Sequence, residues 1–254
     1  MKRIIALFIA ALLPLVSQAQ YTGFQRSLND KPWGILPSER SNREPVYAGP
    51  KAERFELRQG DCGLQPGWSD CAMDRERVEM SELKPYTQLG VPTWYSWAVL
   101  FDPKWPDISP VTTTVGQFHQ RDVSAPAILF IQRNGIYGMR IESAKAAYPN
   151  NDWYPLVGAK DLRGRWHTVL VYAKWSTGID GEIKVWVNNV LKVDVKGPNT
   201  VNTTPVYFKY GIYRSFVSRV PNRPTQVLYI DEVKKGPTRE SVDPHGPAKL
   251  KAVN

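Results

Sequence analysis

Long helical periodicity is missing from this 254-residue sequence. Apolar residues do not recur every 3.6 positions over any long stretch, and 21 prolines argue against many helices. Cysteine is nearly absent, with only Cys62 and Cys71, and a metal site built on that pair would lack a nearby histidine. No strand carries a Glu-x-Asp-x-x-Glu pattern, so the two spaced carboxylates that glycoside hydrolysis requires are not evident. Asp70, Asp74 and Glu76 crowd around the Cys62–Cys71 loop, and Asp231 and Glu232 are adjacent and would face opposite ways on a strand. Neither a recognition helix, an RNA-binding signature nor a basic tract is found, so no nucleic-acid partner is expected. Beyond the N-terminus no apolar run approaches the roughly 18 residues of a membrane span.

What is present begins with Met1-Lys2-Arg3, an apolar run from Ile4 to Val16, and Ser17-Gln18-Ala19. This pattern predicts a signal peptide over residues 1–19, cleaved after Ala19, and hence a secreted or periplasmic protein. In an oxidising compartment Cys62 and Cys71 are expected to form one local disulfide. The net charge is +9; without Lys2 and Arg3, 31 basic residues face 24 acidic ones, leaving +7. Such a charge favours polyanionic partners, or serves solubility alone.

Residues 20–50 are polar and dotted with Pro32, Pro37, Pro45 and Pro50, and read as an extended lead-in. From 51 to 236 the chain reads as one β domain, followed by a tail over 237–254. Strands are expected at 54–58, 75–79, 94–101, 113–119, 166–174, 206–213 and 227–233. Two hairpins are plainer still. Ala127–Gln132 returns through Asn134-Gly135 to Ile136–Ile141, and Glu182–Val187 returns through Asn188-Asn189 to Val190–Lys196. Many short strands separated by turns predict an all-β, two-sheet antiparallel sandwich.

Three strands place chemistry-bearing side chains on a single face, because successive residues alternate. Tyr207, Lys209, Gly211 and Tyr213 share one face, with Phe208, Tyr210 and Ile212 opposite. Gln117 and His119 flank Phe118 in the same manner, and Arg75, Arg77 and Glu79 form a third row. Phenols, an imidazole, an amide and cations on one face suit a wet cleft able to move protons.

The ordered segments Asp74–Glu79, Gly116–Gln120, Trp166-His167 with Lys174–Ser176 and Gly181–Asn188, and Tyr207–Arg214 resemble the heparin-lyase-I-like and glucuronan-lyase-like polysaccharide lyases. That resemblance covers roughly residues 50–245 and implies a concanavalin-like β-jelly-roll, related in fold to alginate lyases. Arg77-Val78-Glu79-Met80 resembles the Arg-x-Glu-Leu of alginate lyases, except that Val78 replaces a small hydroxyl residue.

The resemblance implies β-elimination on an acidic, uronate-containing polysaccharide such as glucuronan, alginate or a heparin-like chain. Gln117, assisted by Arg77, would neutralise the uronate carboxylate. His119 and Tyr213 would share the proton transfers, with Tyr213 as the acid and as both acid and base where the proton lies on its side. Lys209 or Arg77 would draw the phenol toward phenolate; Lys209, Tyr207 and Arg75 would bind substrate. No cofactor is required, and no Asp/Asn-rich loop announces the structural calcium that some relatives carry. A monomer is expected.

Structural roles compete for several of these residues. His167 reads as structural and His245 as a solvated tail residue, Glu79 as a group that orients an arginine, and Trp97, Trp175 and Trp186 as packing residues. A non-catalytic glycan-binding jelly-roll is the main rival, since one fold serves both roles.

Overall fold

The computed structural model describes residues 23–123, 125–142 and 153–244. The expected signal peptide, the cleavage point at Ala19 and His245 lie outside the described residues. In chain order the first strands are β1 (Phe24–Ser27), β2 (Ile35–Glu39), β3 (Lys51–Leu57), β4 (Leu64–Gln65), β5 (Trp68–Ser69) and β6 (Arg75–Glu82). Next come β7 (Thr93–Phe101), β8 (Thr112–Gln120), β9 (Ile128–Arg133), β10 (Ile136–Ile141) and β11 (Trp153–Val157). The last are β12 (Trp166–Lys174), β13 (Glu182–Val187), β14 (Val190–Lys196), β15 (Val206–Ser215) and β16 (Gln226–Gly236).

Two seven-stranded sheets face each other, ordered β1-β6-β15-β8-β9-β10-β11 and β14-β13-β12-β7-β16-β3-β2. Neighbouring strands run antiparallel throughout both sheets. Both hairpins turn where expected: Asn134-Gly135 and Asn188-Asn189 have positive φ at both central positions, matching the twist of the strands they join. The segment read as an extended lead-in carries β1 and β2, which pair at the edges of the two sheets. After Gly236 the chain lies against the second sheet, where Val242 is buried and the Ser96 hydroxyl donates to its carbonyl at 2.6 Å.

The core lies between the sheets and is aromatic. Phe208 packs against Phe118 at 4.8 Å and Trp97 at 4.9 Å between ring centres, and Trp97 meets Phe130 edge-on at 4.9 Å. Each such pair contributes about 0.5–1.5 kcal/mol beyond its buried area. With Phe118, Phe208, Tyr210 and Ile212 committed to the core, alternation sends Gln117, His119, Lys209 and Tyr213 to the outer face of the first sheet.

Two bulges adjust that face. Against β9, strand β8 holds an extra residue between Thr114 and Gly116; against β8, strand β15 holds one between Tyr210 and Tyr213. On β15 the irregularity falls at Gly211, whose φ of +130° suits only glycine. A Cβ there would come within 2.3 Å of the Val78 carbonyl oxygen, so no side chain fits. The β15–β6 register stays regular through this point, which keeps Lys209 and Tyr213 on the same face.

Candidate functional site

A cleft of about 560 Å³ runs over the outer face of β6, β15, β8 and β9. Every residue expected at a functional site lines it: Arg75, Arg77, Gln117, His119, Tyr207, Lys209 and Tyr213. Strand register sets their order. Tyr207 lies opposite His119, Lys209 opposite Gln117, and Tyr213 opposite Arg77. His119 and Tyr213 therefore line the same cleft from β8 and β15, with the amide and the charged groups between them in the register.

His119 is held from both sides. Its Nδ1 lies 2.6 Å from the Gln120 carbonyl oxygen, which can only accept; Nδ1 therefore carries the proton and Nε2 keeps its lone pair. Tyr207 leans over the imidazole at 5.6 Å between ring centres and stacks on Tyr86 at 5.0 Å. Burial lowers the pKa of His119, and the cations Lys209 and Arg77 lower it further against the opposing influences of the Gln120 carbonyl and Glu79. The Tyr207 phenol is pushed up to about 12, first by burial and then by Tyr86.

Glu79 is the hub of the site. Its Oε1 accepts the Gln117 amide at 2.6 Å, and its Oε2 accepts Lys209 Nζ at 2.6 Å and Arg77 Nη1 at 3.4 Å. Glu79 lies on β6 and Gln117 on β8, with β15 between them. The residue of β15 directly opposite Glu79 is Gly211, which puts no side chain in the path. Burial lowers the pKa of Lys209, and Glu79 counters that effect as its partner. The lysine expected to meet substrate anions is thus already paired inside the protein.

Arg77 is 7% exposed and is bound from below. Its Nε and Nη2 donate to the two carboxylate oxygens of Asp70, each at 2.6 Å, in a bidentate pair. Asp70 is fully buried, sits beside Cys71, and also accepts Gly63 N at 3.0 Å and Trp68 Nε1 at 2.9 Å. The disulfide is formed between Cys62 and Cys71, closing the β4–β5 hairpin that presents Asp70 to Arg77. Asp70 and Glu79 together balance Arg77 and Lys209, so the buried cluster is neutral overall.

Above Arg77 lies Tyr213, its ring centre 4.6 Å from the guanidinium carbon. As expected, nearby cations draw this phenol toward phenolate, Arg77 and Arg75 both acting in that sense, but they do not decide its state. Burial raises the Tyr213 pKa, outweighing the opposing influence of Arg77 and Arg75. The resting phenol keeps its proton. Arg75 lies half-buried at the rim, with its guanidinium 4.4 Å from the Phe216 ring centre.

His167 and the three tryptophans read as structural sit in structural positions. His167 is buried, with Nε2 facing the Asp161 and Leu162 carbonyls at 3.0 and 3.3 Å. Trp97 and Trp175 are in the core, and Trp186 stacks on Trp94 at 5.5 Å. Two features were not anticipated: Asp70 as the partner of Arg77, and Trp68 and Phe216 on the cleft wall. A carboxylate beside a disulfide cysteine was the available signal for Asp70. Among the described residues, no group of three or more His, Cys, Asp or Glu could hold a metal ion, and no helix is long and apolar enough to cross a membrane.

A family model described as polysaccharide lyase matches residues 27–234. Among solved structures, the endo-β-1,4-glucuronan lyase from the fungus Trichoderma reesei superposes with a TM-score of 0.68 at 19% identity, covering 89% of this chain and 96% of that one. The alginate lyase from Corynebacterium sp. gives 0.55 at 14% identity, covering 85% and 94%. Alginate lyase AlgAT5, of polysaccharide lyase family 7, gives 0.53 at 14%, covering 73% and 77%. At these identities the likeness is one of fold. No curated protein matches the chain.

Proposed function

The chain belongs to the polysaccharide lyase family, and from that premise we propose that its cleft cuts an acidic, uronate-containing polysaccharide by β-elimination. The observation that carries this reading is the row His119, Gln117–Glu79–Lys209 and Arg77–Tyr213 along one cleft. A base with a free lone pair, a protonated phenol and a braced amide line the same cleft. The fungal glucuronan lyase and the alginate lyases of similar fold act on polyuronates by their names, which supports the substrate class.

The chemistry follows from the residues. His119 Nε2 takes the proton from C5 of the uronate. The electrons of that C–H bond form the C4=C5 double bond as the C4–O bond breaks. The departing glycosidic oxygen takes the proton of Tyr213. Gln117 has one amide proton engaged by Glu79 and a second left for the uronate carboxylate. Holding that carboxylate stabilises the charge that builds as the C5 proton leaves, an electrostatic effect of the oxyanion-hole kind. Lys209 and Arg77 act from within the protein, bonding to Glu79 and holding Tyr213 in place.

We further read the protein as exported by its N-terminal signal peptide, with the strands of residues 24–236 as one catalytic domain. Export suits the Cys62–Cys71 disulfide. The test is a panel of glucuronan, alginate and heparin-like polymers, followed by the ultraviolet absorbance of the unsaturated uronyl end. Absorbance gain on at least one polymer is the expected result; binding without gain on any of them would favour a glycan-binding role instead.

A further inference from the structure

Beyond Tyr213 the cleft continues to a rim with no part in the proposed chemistry. Phe216 follows Tyr213 by three residues, about 10 Å along an extended chain. Phe216 is 42% exposed and lines the cleft. The backbone there has a φ of +62°, which a bulky residue adopts only when its surroundings enforce it. The enforcement is visible. Phe216 N donates to the Asp74 carbonyl at 3.0 Å, and the Asp74 carboxylate accepts Ser218 N at 2.7 Å and the Ser218 hydroxyl at 3.0 Å. Arg219 also lies over the Phe216 ring, at 4.4 Å.

The facing wall is the disulfide-closed hairpin of β4 and β5. It presents Trp68, 37% exposed and lining the same cleft. The Trp68 indole is fixed in orientation by its 2.9 Å bond to Asp70. Between the two rings stands Arg75, whose Nη1 donates to the Asp74 carbonyl at 3.0 Å. Among the described residues Arg75 makes no ion pair, because the neighbouring Asp74 carboxylate is turned to Ser218. Two oriented aromatic side chains and a guanidinium without a direct ion pair thus share one end of a cleft read as taking a polyanionic sugar.

We propose that Trp68, Phe216 and Arg75 form an outer subsite for a further uronate unit of the bound chain. The apolar face of the sugar rests on an aromatic ring, and its carboxylate meets the planar guanidinium, whose paired N–H groups match carboxylate geometry. This subsite rests on the elimination reading of the cleft and adds to it a dependence of affinity on chain length.

The test measures dissociation constants for sized oligomers of glucuronate and of alginate by calorimetry. It uses the full chain in a His119→Ala background so that oligomers are not cut. Affinity should rise about tenfold at the length that reaches Phe216, the combined gain of the aromatic and guanidinium contacts of one added unit. Phe216→Leu and Trp68→Leu should each lose that rise, and Trp68→Phe, which keeps a ring, should retain it. The same length profile in all four proteins, or no rise in the background protein, overturns the subsite. Absorbance gain by the chain with native His119 is scored separately. A gain without the length effect removes only the subsite, and the length effect without a gain removes only the elimination reading.

Discussion

The Arg77 guanidinium lies 4.6 Å beneath the centre of the Tyr213 ring while its other edge grips Asp70 through two 2.6 Å contacts. Tyr213 is thereby placed from below by a group that is itself held by the Cys62–Cys71 hairpin. A covalent staple and the candidate acid are linked through two side chains, Asp70 and Arg77.

Breaking that link at Asp70 should be costly. Asp70→Asn leaves Arg77 buried without its main counter-charge, a loss of about 3–5 kcal/mol for a buried pair. Cys62→Ser should cost about 2–3 kcal/mol by chain entropy, with a smaller effect on turnover. Denaturant unfolding of both variants checks the order; equal stability of Asp70→Asn and the parent would show that the pair contributes little.

Gln117→Ala should reduce kcat by about two to three orders of magnitude, the usual effect of losing one preorganised donor. Glu79, still bonded to Lys209 and Arg77, should keep the fold intact. Steady-state kinetics alongside thermal melting separates the two effects.

The pH profile should have a broad plateau. His119 must be neutral to accept a proton, and its pKa is lowered from 6.5, so activity falls only on acidification below that value. Tyr213 must be protonated, and its pKa is raised above 10.0, so the alkaline limb lies higher still. A kcat/KM profile with its acid limb above 6.5 contradicts these assignments.

Glu53 gives a stability prediction away from the cleft. It is 2% exposed, and burial pushes its pKa to about 8, with Asp231 raising it and Tyr210 and Arg26 opposing. The folded value lies above the unfolded 4.5, so this group's contribution is full below 4.5 and lost as pH rises through about 8. Glu53→Gln should therefore gain stability relative to the parent between pH 5 and 8. A difference that does not change with pH would contradict the assignment.

Much of this was legible because alternation in a strand is strict. Gln117 and His119 lie on one side of the β8 bulge, and Lys209 and Tyr213 keep a regular register with β6, so counting by two reached the right face. The disulfide and both asparagine turns were legible for equally local reasons. Strands β1 and β2 were not, because as edge strands they are largely polar and carry prolines or exposed residues. The Asp70–Arg77 pair depends on a hairpin folding back, and the Glu79–Gln117 bond crosses an intervening strand at Gly211. Such contacts belong to tertiary geometry rather than sequence period. The influence of the cations on the Tyr213 phenol was legible, but the burial that outweighs them is invisible in sequence.

The central claim is elimination by a His119–Tyr213 pair, and cleavage of a susceptible polyuronate in water enriched in heavy oxygen tests it most directly. Mass spectrometry of the products should show an unsaturated end and no heavy-oxygen incorporation, and Tyr213→Phe should yield no such products although the variant folds normally. One heavy oxygen per cut, or parental rates from Tyr213→Phe, would contradict the account.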